Sequence, residues 1–124
     1  MTIIYDSLTG LCQRFAESLG YPALPIQDAD QLPPHEPVFL VTRCFNFGEI
    51  PETTLLYLNS HAKQVVGTAT SGNRNWGANY AIAGAKIEEI YGIPDVVRFE
   101  AMGFPHEREA ARTFLKNWES EHPA

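Results

Sequence analysis

Short apolar runs alternate with helical patterns along this chain, and that alternation limits the fold more than any other property of the sequence. Thr2 to Asp6 reads as a first strand. The helix after it places Leu11, Cys12, Phe15 and Leu19 on one face, and Gly20 stops it ahead of Tyr21-Pro22. Ala23 to Ile26 is a short strand, assigned to an edge because Pro22 and Pro25 remove ladder donors. Gln27 to Pro37 is polar and proline-bearing and reads as loop. Val38 to Thr42 is the most continuous apolar run, as a parallel strand covered on both faces requires. Pro51 is placed to open a helix carrying Leu55, Leu56 and Leu58. Gln64 to Thr70 is the next strand. A helix from Ala78 to Tyr91 then shows Tyr80, Gly84, Ile87 and Tyr91 at helical spacing, with Gly92 closing it. Asp95 to Glu100 is the last strand. The final helix is expected to bury Ala110, Ala111, Phe114, Leu115 and Trp118, with Glu107 and Glu109 in its first turn and Lys116 near its end. Five strands alternating with four helices predict an α/β fold, an open parallel sheet with helices on both faces.

In such a sheet ligands bind beyond the carboxyl ends of the strands, where strand order reverses. Three loops of unusual composition should meet there: Ser7–Cys12, Thr42–Glu49 and Ser71–Gly77. The first joins a strand to a helix start, whose amides lack intrahelical acceptors and whose dipole favours an anion. Ser7 and Thr9 add hydroxyl donors, and Gly10 lets the backbone approach closely. The loop has no Lys and no G-x-x-x-x-G-K-[ST], so it is not a nucleoside-triphosphate loop. Neutral donors suit a resident monophosphate better than a transferred one. The second loop offers Phe45 and Phe47 as flat apolar surfaces beside Gly48; the third offers Trp76 beside Gly72, Asn73 and Gly77. A phosphate cradle with aromatic loops describes a mononucleotide site with a planar ring, and flavin mononucleotide (FMN) meets that description.

Composition narrows the remaining classes. At 124 residues the chain is read as one domain over residues 1–124, and 44% apolar content makes it globular. A net charge of −6 argues against nucleic-acid partners and anionic membranes. No apolar run approaches the roughly 20 residues that span a bilayer. The start of the chain enters a strand with no basic leader, and Cys12 and Cys44 form neither a disulfide framework nor a C-x-x-C pair. The expected setting is a reducing cytoplasm. The four histidines are scattered without ligand spacing, so no metal is expected in this chain.

Ser7-x-Thr9-Gly10 after the first strand, Asn46-Phe47-Gly48 after the third, and Ala69-Thr70-Ser71-Gly72-Asn73-Arg74-Asn75-Trp76-Gly77 after the fourth resemble the NrdI family. These are small flavodoxin-like proteins of class Ib ribonucleotide reductase systems. Phe99-Glu100-x-Met102-Gly103 is similar to the family's segment after the last strand, so the resemblance runs from Ile3 to about Gly103. It implies a flavodoxin-like sheet of order 2-1-3-4-5 and an FMN protein that reacts with oxygen. The oxidant, superoxide or peroxide, would pass to the small subunit NrdF, dimanganese or diiron, so that its tyrosyl radical forms. A flavin or a ferredoxin/glutaredoxin-type reductant would feed it electrons, and it would be an accessory redox protein with no substrate turnover of its own. Carried over by position, Ser7, Thr9, Gly10, Leu11 and Cys12 would hold the phosphate. Thr42, Phe45, Asn46, Phe47 and Gly48 would flank the isoalloxazine on one side, and Ser71, Gly72, Asn73, Trp76 and Gly77 on the other, with Tyr80 nearby. Leu11 stands where many relatives carry Asn, which removes that side-chain hydrogen bond and leaves the backbone N–H.

The second and third loops carry Arg43 and Arg74, with Glu49 as their one acid. That pattern predicts little repulsion of a reduced, anionic flavin. Cys12 is read as packing and Cys44 as a small filler or loop thiol. Two other functions share this fold. A general low-potential flavodoxin-type electron carrier is disfavoured by the short chain and the third loop. A phospho-receiver wants an acidic cluster and a Lys after the last strand, and this chain offers Asp6 and Glu100-Ala101-Met102-Gly103 instead. A tyrosine-phosphatase reading fails for want of C-x-x-x-x-x-R.

Overall fold

A strand that opens on four apolar residues needs apolar cover on both faces, and β3 (Val38–Arg43) obtains it: these four and Thr42 are buried. Phe39 and Val41 pack into one core and Val38 and Leu40 into the other, so alternate side chains serve opposite sides of one sheet. In the computed structural model, residues 1–45 and 48–123 are described. Around β3 stand β1 (Thr2–Tyr5), β2 (Ala23–Pro25), β4 (Val65–Ser71) and β5 (Asp95–Phe99), in the order β2-β1-β3-β4-β5. Every pairing is parallel. The sheet is the expected one, and β2 takes the edge that its prolines require.

The helices α1 (Leu11–Glu17) and α4 (Pro105–Glu121) close one face. There Cys12, Phe15, Ala16, Leu19, Ala111 and Leu115 meet Ile3, Tyr5, Phe39, Val41, Ala69 and Phe99. The helices α2 (Glu52–His61) and α3 (Ala83–Tyr91) close the other, where Tyr57, Leu58 and Ile87 pack on Ile4, Val38, Leu40 and Val65. Each fully buried Leu, Ile or Phe contributes roughly 1.5–3 kcal/mol relative to exposure.

The structure departs from the sequence reading at four places. The loop expected from Gln27 contains a 3₁₀ segment, Ile26–Gln31, because Ile26 and Ala29 turn into the core beside α2. Pro51 is the residue before α2 rather than its first, with extended backbone (ψ 145°). The buried face of that helix is Thr54, Tyr57 and Leu58, while Leu56 is 62% exposed. The helix expected from Ala78 begins at Ala83: a 3₁₀ segment, Arg74–Asn79, precedes it, with Gly77 and Ala81 at positive φ interrupting the turn. In α4 the fully buried stripe is Glu107, Ala111 and Leu115, whereas Ala110 is exposed and Trp118 half-buried. Four-residue spacing gives a narrower stripe than the expected face. Glu109 falls in the second turn, and Lys116 lies well inside a helix that runs on to Glu121.

Candidate functional site

Strand order reverses between β1 and β3, so the turns after β1, β3 and β4 emerge side by side at the carboxyl edge. The chain leaves β1 through Asp6, turns at Gly10 (φ 89°) and enters α1 at Leu11. Ser7 Oγ accepts the Gly10 N–H at 3.0 Å, which fixes the turn. The Gly10 carbonyl accepts the Arg14 N–H at 3.0 Å and starts the helix. The amides of Leu11, Cys12 and Gln13 then have no intrahelical acceptor, an arrangement that favours an anion. A Cβ on Gly10 would meet nothing within 4 Å, so this side of the turn is open. Thr9 and Leu8 are exposed at its lip.

Below the turn lies a polar network that sequence reasoning did not find. The Asp6 side chain is 3% exposed and accepts the hydroxyls of Thr53 and of Thr54, the latter at 2.6 Å. Arg43 stands 3.9 Å from its other oxygen. Thr54 Oγ1 also lies 2.7 Å from Thr42 Oγ1. Thr42, carried over as a ring contact, is therefore fully buried and its hydroxyl is engaged with α2. Its carbonyl accepts the Cys12 S–H at 3.5 Å. Burial, and after it the nearby Asp6 carboxylate, push the Cys12 thiol up to about 12. The available signal was Thr53-Thr54 at the start of α2, two hydroxyls aimed back along β1.

After β3, the Cys44 N–H donates to the Ser71 carbonyl at 3.1 Å, joining the second loop to the third. Phe45 and Glu49 exchange backbone hydrogen bonds of 2.7 and 2.8 Å and close a small loop, leaving the Phe45 ring 49% exposed. Gly48 (φ 106°) is buried against the third loop's exit, and a Cβ there would strike Ile82. Asn46 and Phe47 lie outside the described residues.

After β4, the Gly72 N–H donates to the Phe99 carbonyl at 2.9 Å, and a Cβ on Gly72 would sit 2.5 Å from the Ala81 nitrogen. Asn73 accepts the Asn75 N–H with its side chain and the Trp76 N–H with its carbonyl. Trp76 is half-buried, and Gly77 (φ 57°) again presents an open side. The Tyr80 hydroxyl is buried with no partner among the described residues. Ser7, Gly10, Leu11, Cys12, Phe45, Gly48, Ser71, Gly72, Asn73, Trp76, Gly77 and Tyr80 thus belong to three turns, the first tied to the end of β3 through Cys12 and Thr42 and the second tied to the third through Cys44 and Ser71.

Both arginines singled out in the sequence, Arg43 and Arg74, have carboxylate partners. Arg43 faces Asp6, and the Arg74 guanidinium meets Glu107 at 2.6 Å while its backbone N–H meets Glu100 at 2.8 Å. Leu8, Phe45, Met102 and Phe104 are exposed around the same edge and give it an apolar border.

A five-stranded parallel sheet of this order, with an open glycine turn at the strand reversal, defines the flavodoxin-like class of α/β proteins. The short-chain flavodoxin associated with a non-canonical PDU bacterial microcompartment superposes on 97% of this chain and 96% of its own with a TM-score of 0.74 at 15% identity. A Fusobacterium nucleatum flavodoxin, solved bound to flavin mononucleotide, does so over 97% and 96% with a TM-score of 0.54 at 12% identity. Within that class the sequence is more specific. The family described as NrdI flavodoxin-like matches residues 3–113. Protein NrdI of Macrococcus caseolyticus (strain JCSC5402) is 40% identical over 104 residues, 83% of this chain and 79% of that relative. The chain belongs to the NrdI family. Among the described residues no helix is long and apolar enough to cross a membrane, and no group of His, Cys, Asp and Glu side chains suits a metal ion.

Proposed function

We propose that residues 1–124 form one FMN-binding redox domain that reacts with oxygen and delivers the resulting oxidant to the small subunit of a class Ib ribonucleotide reductase. There it would serve assembly of the metal–tyrosyl radical cofactor. The observation that carries the FMN reading is the open face of Gly10 above the free amides of α1, at the one strand reversal of the sheet. Ser7, Thr9, Gly10, Leu11 and Cys12 would hold the phosphate with neutral donors, Cys12 through its backbone, since its thiol is engaged with Thr42. The donor set fits a bound monophosphate: Asp6 is turned beneath the turn and satisfied there, so no free carboxylate opposes the anion.

When bound, FMN supplies the electron-transfer and oxygen chemistry; the chain supplies position and access. Phe45, Gly48, Gly72, Asn73, Trp76 and Gly77 would border the ring, and Tyr80 would support the third loop from behind. The Gly72 N–H is held by Phe99, so backbone adjustment to flavin redox state falls to Gly48, whose positive φ no other residue adopts as readily. The apolar border of Leu8, Phe45, Met102 and Phe104 is the surface offered to the partner subunit.

Reconstitution with FMN, followed by oxygen-dependent activation of manganese-loaded NrdF, tests both halves. The expected outcome is a yellow protein that raises NrdF activity. A yellow protein that leaves NrdF inactive would return the assignment to a general electron carrier, and a colourless one would remove the flavin.

A further inference from the structure

The third loop is fastened to a helix that lies far from it in sequence. The Arg74 guanidinium donates to Glu107 Oε2 at 2.6 Å, and the Glu107 side chain is 5% exposed. The other oxygen of that carboxylate accepts the Phe104 N–H at 2.8 Å and caps α4. The guanidinium also lies over two rings, 5.0 Å from the Tyr80 centroid and 5.4 Å from that of Phe104. Its backbone N–H is held by Glu100. One residue thus joins the loop after β4, the turn after β5 and the first turn of α4.

A carboxylate that only capped α4 could remain in solvent at no desolvation cost; the cost of burying Glu107 is offset by the Phe104 N–H and by the Arg74 cation beside it. The loop that Arg74 holds has no continuous helix of its own, because Gly77 (φ 57°) breaks its 3₁₀ turn. A ring-binding loop held in place before the ligand arrives avoids the ordering cost at binding. The planar, stacked guanidinium is a role that Lys fills poorly.

We propose that the Arg74–Glu107 pair is a positioning clamp that holds the Ser71–Asn79 segment in its ring-binding conformation, and so sets the affinity for the isoalloxazine rather than for the phosphate. This rests on the FMN reading above. Arg74 acts through the loop and is not a ring contact.

The test uses the full chain without flavin, wild type against R74A, R74K and R74A/E107Q. Two readouts are taken: amide hydrogen exchange of residues 71–79, and dissociation constants for FMN and for riboflavin by flavin fluorescence quenching. R74A is expected to speed exchange across 71–79 and to weaken FMN and riboflavin alike, by roughly tenfold. R74K should recover only part of the loss. The double variant, which leaves no stranded carboxylate, should keep the melting temperature near wild type while retaining the binding defect. Unchanged exchange in R74A overturns the clamp whether or not the wild type binds flavin. So does an FMN affinity within about twofold of wild type. Loss of FMN affinity with riboflavin unaffected would move the role to the phosphate and overturn it as well. A wild type that binds neither compound, with faster exchange in R74A, would instead overturn the flavin reading and the affinity role together.

Discussion

Thr54 donates its hydroxyl to the buried carboxylate of Asp6 at 2.6 Å, tying the first turn of α2 to the residue that follows β1. The bond crosses the sheet's carboxyl edge beneath the Gly10 turn. Replacing one donor to a buried carboxylate leaves part of its desolvation unmatched, so Thr54→Val should cost about 1–3 kcal/mol in urea unfolding. Thr53→Val, at the exposed partner, should cost less.

Two glycines at positive φ make a contrast. Gly10 has open space on its Cβ side, so Gly10→Ala carries only the backbone penalty, about 1 kcal/mol. Gly48→Ala adds a clash with Ile82 and should lose clearly more stability, with Ile82→Ala in the same chain restoring part of it. Chemical denaturation of the three variants against wild type measures both.

The two thiols should separate by reactivity. Cys12 is buried and its thiol is pushed up to about 12, so at pH 8 it is almost wholly protonated. Cys44 is half-buried, and burial raises it too. Alkylation of the folded protein at pH 8 should modify Cys44 first and Cys12 only in urea. Cys44→Ser should abolish the fast phase.

Glu36 accepts the Thr2 hydroxyl at 2.8 Å and the terminal ammonium of Met1 at 3.0 Å, and these bonds hold its carboxyl below the ordinary 4.5. A depressed folded-state value stabilises above the unfolded one, and that stability is lost as pH falls through the folded value. Thermal melts should show wild type losing its advantage over Glu36→Gln below about pH 4.5, with the two curves converging at lower pH.

The sheet was legible because β3 carries an unbroken apolar run and β2 is bracketed by prolines, signals local in sequence. The turn before α1 was legible for the same reason: Ser7 and Gly10 shape it where they stand. The support beneath it was not. Asp6 is recognisable as a structural acid only once Thr53, Thr54 and Arg43 are brought to it from over thirty residues away. The partner of Arg74 was hidden likewise, because Glu107 lies 33 residues along the chain. The early end predicted for the loop after β4 failed because Tyr80 and Gly84 fit a helix by spacing, while packing of Ala81 against Gly72 imposes positive φ between them.

The outer strand β2 is three residues long and finishes in Pro25, which has no N–H to offer. A neighbouring molecule seeking to extend the sheet from that side would find too short a row of amides to zip onto. The flank nearest β1 is thereby shielded from edge-to-edge stacking, and a chain that must present apolar side chains at the mouth of its sheet has one route to aggregation closed.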